Sequence, residues 1–317
     1  MTTIQPFRYR DIFEGTQLAR LPESLRINGE RDAEILVILR LLSGSIDLIH
    51  SPRERVIKQR KNYFVSDFKN YPKNWGTKFS KLIGENISGS DLAVYIESVR
   101  FQNRNFYKEI LFEISHYFIH EKSGSHTAAF IYLYRLLEKI SYCFPLIYIS
   151  KTSDFKNSYS FLKSLMSGNK DKGELGFFKT FVQELYREDP ISETSIDLEI
   201  NVENEDIQSL FYRSLRDICD QGIISENTNE PRCLSIKYCD MGGFLITVRN
   251  RFFHNLSDNG NNLEGSKIVD SDLLFSLINK QGLQWISTIL LGVVSYNLSQ
   301  FQQNSSQYSL SRFAELQ

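Results

Sequence analysis

Apolar residues recur at spacings of three and four along most of this chain, the pattern of amphipathic helices. "RDAEILVILRLLSGSIDLIH" (Arg31–His50) predicts a helical hairpin or a broken helix. "SGSDLAVYIESVRFQNRNFYKEILFEISHYFIHE" (Ser88–Glu121) predicts one long helix, with Ser88 or Ser90 as the hydroxyl that caps its first turn. Beyond the turn "EKSGS", Ser125–Tyr148 predicts another helix, which Pro145 should end or kink. Shorter helices are expected in "SYSFLKSLMSG", "GELGFFKTFVQELY" and "NEDIQSLFYRSLRDICD", and a long one in "DSDLLFSLINKQGLQWISTILLGVVSYNLSQF". Two pieces depart from this period. Ile196, Leu198, Ile200 and Val202 alternate with polar residues, as do Leu234, Ile236 and Tyr238, so each reads as a half-exposed strand. The expected fold is all-α, a helical bundle with a small two-stranded β insertion. Gly124 is the expected boundary between an N-terminal helical region, residues 1–124, of no assigned role and a helical domain over residues 125–317.

Composition narrows the function classes. Hydrophobic residues make up 41% of 317, with 23 Phe and 16 Tyr, enough for a packed core. A net charge of −1 excludes a surface coated in positive charge, so any nucleic-acid contact must come from a local basic patch. Cys143, Cys219, Cys233 and Cys239 form no CxxC pair and read as reduced core thiols. "MTTIQPFRYRDIFEG" has no apolar run of the kind that directs secretion, and "WISTILLGVVSYNL" (Trp285–Leu298) is short and interrupted by polar residues. A cytoplasmic protein without membrane contact is expected.

Most of the candidate chemistry lies in "GGFLITVRNRFFHNLSDNG" (Gly242–Gly260). At about 100° per residue, Leu245, Val248, Phe252 and Leu256 share a core-facing stripe, while Thr247, Asn250 and His254 fall on the other side. Arg249 and His254 differ by about 140° and roughly 7.5 Å of rise, so one helix does not readily aim both at a single phosphate. A two-fold axis between identical chains would. An imidazole can take a proton from a ribose 2′-OH or give one to a leaving 5′-oxygen. A guanidinium can hold the phosphate oxygens, and Asn250 can bond an imidazole nitrogen and select its tautomer. These groups suffice for metal-free RNA cleavage to a 2′,3′-cyclic phosphate. DNA, lacking the nucleophile, would resist.

"RNRFFH" resembles the R-x4-H motif of HEPN-domain endoribonucleases, in which Asn often follows the Arg, as Asn250 does. That family is an all-α bundle with its motif on a late helix, and it usually dimerises with the motifs facing each other. "AFIYLYRLLEKISY" resembles a first core helix of such a bundle, and the likeness spans roughly Ser125 to the C-terminus. The resemblance implies Arg249 and His254 as catalytic residues, Asn250 in support, no cofactor or metal, RNA as substrate and a homodimer. It implies a toxin or an effector of antiviral defence such as abortive infection, with a regulatory or antitoxin protein as a possible partner. One branch of the family works with a nucleotidyltransferase and carries Tyr two residues after the His. Leu256 stands there, which points away from that branch.

Other stretches bear on this reading. Arg251 adjoins the motif, and Arg213 and Arg216 can add positive charge for RNA. "SDNGNN" after His254 is a polar loop at the expected entrance. His116 and His120 sit at i, i+4, a spacing able to chelate a metal, but no third ligand is evident and two polar helix positions are the simpler reading. "SPRERVIKQRK" (Ser51–Lys61) can track an RNA backbone, though a solvated helix face fits it better. The alternative to an enzyme is a non-catalytic HEPN-like module that binds a nucleotide or a partner protein.

Overall fold

A computed structural model of the protein describes residues 5–29, 32–71, 74–150, 155–167, 174–254, 262–265 and 268–314. In chain order the elements are β1 (Phe7–Asp11), α1 (Gly15–Ala19), α2 (Glu34–Leu42), β2 (Ile46–His50), β3 (Arg55–Lys58), α3 (Trp75–Ile83), α4 (Gly89–Val99), α5 (Arg104–Lys122), α6 (His126–Ser150), α7 (Phe155–Ser167), α8 (Glu174–Leu185), β4 (Ser195–Glu199), α9 (Glu205–Asp217), β5 (Cys233–Lys237), α10 (Met241–Phe253) and α11 (Ser271–Ala314). The chain is mostly helical, yet the expectation of an all-α bundle with one β insertion needs correction. A second sheet, of three strands, lies in the N-terminal part.

The chain divides into two compact units. The first comprises residues 1–115, 143–161 and 287–317, and the second residues 116–142 and 162–286, so the Gly124 turn falls inside the second.

In the first unit β2 is the middle strand, antiparallel to β1 and β3. The stretch read as a helical hairpin is α2 followed by β2. Gly44 makes the change of direction: its φ is +73°, and a Cβ there would come within 2.7 Å of the Arg60 carbonyl carbon. Only glycine fits such a position. From Ile35 to Leu42 every residue of α2 is buried, Arg40 included. The Arg40 guanidinium donates to Asp11 Oδ1 (2.7 Å), the Leu25 carbonyl (2.7 Å) and both oxygens of Ser45 (2.7 and 3.0 Å). Its Cζ lies 4.9 Å from the Phe13 ring centroid and 4.8 Å from that of Trp75. Burial pulls the Arg40 pKa down, and the Asp11 carboxylate opposes that shift.

Ser88 caps α4 in a reciprocal box: its Oγ accepts from the Asp91 N–H, and the Asp91 carboxylate accepts from the Ser88 N–H. The single helix expected over Ser88–Glu121 is two helices, because Asn103 adopts φ +51° and ends the α-helical path between them. Pro145 does not end α6, which continues to Ser150. The basic stretch Ser51–Lys61 is a turn and the strand β3 rather than a helix face. Arg60 within it is held by Asp47 at 2.6 Å.

In the second unit β4 and β5 pair antiparallel where the alternation predicts, with Ile196 opposite Ile236 and Leu198 opposite Leu234. Here α10 is seated by two close approaches. A Cβ on Gly242 would meet Trp285 Cη2 at 2.7 Å, and one on Gly282 would meet the Leu133 side chain at 2.8 Å and Leu245 at 3.3 Å. The indole of Trp285 cannot retreat, since its Nε1 donates to the Tyr238 carbonyl at 2.9 Å and the ring is buried. Gly242→Ala is therefore expected to destabilise this unit by about 1–3 kcal/mol through overpacking. Urea unfolding at matched protein concentration measures this, and an unchanged midpoint contradicts it.

Candidate functional site

The residues singled out in the sequence lie at the C-terminal end of α10. Leu245 and Val248 are buried and Phe252 is half-buried, as the stripe requires; Leu256 lies outside the described residues. The helix ends at Phe253, where the apolar contacts are dense. Phe252 packs edge-on against Phe275 (centroids 4.8 Å apart), and Phe253 stacks over Phe130 at 6.5 Å. The Leu263 N–H donates to the Arg251 carbonyl at 3.0 Å, tying the chain back onto the last turn.

Arg249 Nη1 donates to Asn250 Oδ1 at 2.9 Å, and its Cζ stands 4.9 Å from the centroid of the Tyr134 ring on α6. One side chain thus sets the guanidinium in plane while a ring supports its face, restricting a long cation that would otherwise lose much rotamer freedom on engaging an anion. Burial pushes the Tyr134 hydroxyl pKa up, against the lowering effect of Arg249, with Glu138 adding to the rise. Tyr134 was not legible as a site residue, because it stands 115 positions from Arg249 and reads as one more apolar position of α6.

His254 is the first residue past the helix, with φ −121° and ψ 126°. Its N–H donates to the Asn250 carbonyl at 3.1 Å, and the residue is exposed. Among the described residues no side chain bonds its ring, so the Asn250 amide serves Arg249 instead of selecting a His254 tautomer. Leaving helical geometry at this position also means that the one-turn spacing of Asn250 and His254 no longer fixes how their side chains meet.

The accessory cations are placed differently from one another. Arg251 is half-buried, and its Nη1 is out of solvent with no hydrogen-bond partner among the described residues. Arg213 and Arg216 are on α9; Arg213 donates to the Ser209 carbonyl, and Arg216 lies 3.9 Å from Glu230. Neither is bonded to Arg249 or His254. Of the "SDNGNN" loop only Asn262 is described.

The i, i+4 histidines of α5 meet an aromatic ring. His116 and His120 stack on Tyr132 with centroids 4.7 and 5.2 Å away and planes 11° and 13° apart. His126 pairs with Glu121 at 2.9 Å, and Asn279 donates to the same carboxylate oxygen. Among the described residues no three potential ligands gather as a metal site would need. The four cysteines are half-buried and form no disulfide among the described residues, and burial pushes the Cys219 thiol up to about 12, far from a reactive thiolate. No described helix is long and apolar enough to cross a membrane.

Compared with protein-family models, with curated proteins and with solved structures, the chain matches none.

Proposed function

We propose that the second unit is a metal-independent endoribonuclease of HEPN type, with Arg249 and His254 as its chemical groups and Asn250 as the residue that orients the guanidinium. The observation that carries this reading is the Arg249 side chain, fixed by Asn250 and the Tyr134 ring, five residues before an exposed imidazole at a helix end. That double support leaves the guanidinium less rotamer freedom to lose when it engages a phosphate. In this reading the imidazole moves the proton of the ribose 2′-OH or of the leaving 5′-oxygen, and Arg249 holds the charge that grows on the phosphate. Two copies of the site in a homodimer supply what one helix does not bring together. A role as a toxin or antiviral effector, held in check by a regulatory or antitoxin protein in the cytoplasm, is part of the same proposal and rests on the resemblance alone.

The test is a labelled single-stranded RNA incubated with the full chain in EDTA, beside its 2′-deoxy counterpart. Expected are cuts in the RNA only, leaving 2′,3′-cyclic phosphate and 5′-hydroxyl ends. Cleavage of the deoxy strand, or 5′-phosphate ends, refutes the mechanism. No cleavage at all, together with saturable nucleotide binding, favours the non-catalytic module.

A further inference from the structure

The three-stranded sheet of the first unit turns its cations outward. Residues paired across neighbouring strands point to the same side of a sheet. The register therefore sets Arg8, Ile49 and Val56 in one row and Arg10, Asp47 and Lys58 in another row of the same face. The row between them, Tyr9, Leu48 and Ile57, faces inward: Leu48 and Ile57 are buried, and the Tyr9 hydroxyl bonds Ser115 at 2.8 Å. Arg8, Arg10, Val56 and Lys58 are exposed, and Arg60, two residues past Lys58, extends the outward side. Outward residues recur about every 7 Å along a strand, and adjacent strands lie about 4.8 Å apart. Arg8, Arg10, Lys58 and Arg60 thus share a patch roughly 10 by 14 Å.

At the centre of the patch Asp47, on the middle strand, is only 4% exposed. Its Oδ2 accepts from Arg10 Nη2 at 2.8 Å and its Oδ1 from Arg60 Nη2 at 2.6 Å. Burial pushes the Asp47 carboxyl pKa up, and the bonds from Arg10 and Arg60 more than offset that, so it stays below the ordinary carboxylate range. One carboxylate beneath two guanidiniums leaves a net positive charge held in place, with the Arg10 side chain 57% and the Arg60 side chain 39% exposed. A guanidinium has five N–H groups. Asp47 takes one from Arg10, while Asp47 and the Gln59 carbonyl take one each from Arg60, so both keep donors for an anion arriving from solvent. Arg8 meets both oxygens of Glu54, but that pair is more than half exposed on each side, a contact of small net worth that a phosphate can replace.

The whole chain has a net charge of −1, yet five of the nine residues from 53 to 61 are basic: Arg53, Arg55, Lys58, Arg60 and Lys61. Positive charge gathered on one exposed sheet of an otherwise balanced chain is the footprint of a local polyanion contact. None of the outward positions is aromatic, so bases have no ring to stack on and the contact is with phosphates. Attachment to a lipid surface draws on inserted apolar side chains as well as charge. This face offers only Val56 and the half-buried Ile49 for that. We infer that the outer face of β1, β2 and β3 holds the phosphate backbone of single-stranded RNA without regard to base sequence. The choice of RNA among polyanions rests on the nuclease reading; the charge and geometry of the patch do not.

Fluorescence anisotropy of a labelled single-stranded 2′-O-methyl RNA, which keeps the phosphates and lacks the 2′-OH nucleophile, measures binding to the full chain. For three or four phosphate contacts, the affinity of wild type is expected to fall with salt at a logarithmic slope of about −2 to −3. R8E/K58E reverses two outward charges and leaves Arg10, Asp47 and Arg60 in place. It should weaken binding by about tenfold or more at low salt and flatten the slope by about 1.4. Lys58→Gln alone, at an exposed position, should flatten it by about 0.7. R20E/K81E makes the same change in net charge at exposed positions of the first unit off the sheet, and is expected to bind as wild type does. A wild type that binds no RNA at low salt, an R8E/K58E protein that binds as tightly as wild type, or equal losses in the two double variants each overturn the inference. So does a wild type that ignores RNA and sediments with phosphatidylserine vesicles. RNA held through this face but never cut when its 2′-OH is present leaves the surface standing and removes the nuclease reading. RNA cut by a chain whose R8E/K58E variant binds unchanged does the reverse.

Discussion

His254→Ala is expected to slow RNA cleavage by about 10²–10⁴-fold, the range that loss of a positioned proton-transfer group brings. The imidazole is exposed at the end of α10 and its ring has no bonded partner among the described residues, so unfolding is not expected to confound the result. Arg249→Ala should cost about 10²–10³-fold by removing the cation from the phosphate. Arg249→Lys is expected to recover little, because an ammonium offers neither the planar fork that meets Asn250 nor the flat face that rests on Tyr134. Single-turnover rates on one RNA substrate, with circular dichroism of each variant alongside, measure both effects. His254→Ala cutting at the wild-type rate removes the imidazole from the mechanism.

In the first unit, Arg40→Ala is expected to destabilise by about 3–5 kcal/mol, the cost of stranding the partner of a buried ion pair. Arg40 has no solvent exposure and Asp11 has 8%, so water cannot take over the lost interaction without opening the structure. The same change orphans the Leu25 carbonyl, leaves Ser45 without its donor and empties the space between Phe13 and Trp75. Equilibrium urea unfolding of the full chain reads the loss, and a change below about 1 kcal/mol contradicts this account.

How far the fold could be read in advance followed from how each segment is solvated. β4 has one wet and one dry face, so its residues alternate, whereas β5 shows the same alternation in residue type although Ser235, between Leu234 and Ile236, is itself buried. β2 sits between two strands with its first three residues all buried, and "IDLIH" consequently carries no alternation to separate it from the apolar helix before it. The break between α4 and α5 rests on one left-handed asparagine, a conformation that residue type permits without announcing. The candidate site was half legible. Arg249, Asn250 and His254 are close in sequence and form a recognisable pattern, whereas Tyr134 joins them only through tertiary packing, and the helix ends at Phe253, three residues short of the Leu256 that its apolar spacing would include. That last difference reassigns Asn250 from the imidazole to the guanidinium.

Because the Arg40 guanidinium is walled in by two aromatic rings and four oxygens, an arginine-selective dicarbonyl reagent reaches it only in molecules whose N-terminal sheet has come apart. Its labelling rate is thus a clock for spontaneous opening, one that runs in dilute buffer and at a single named atom group.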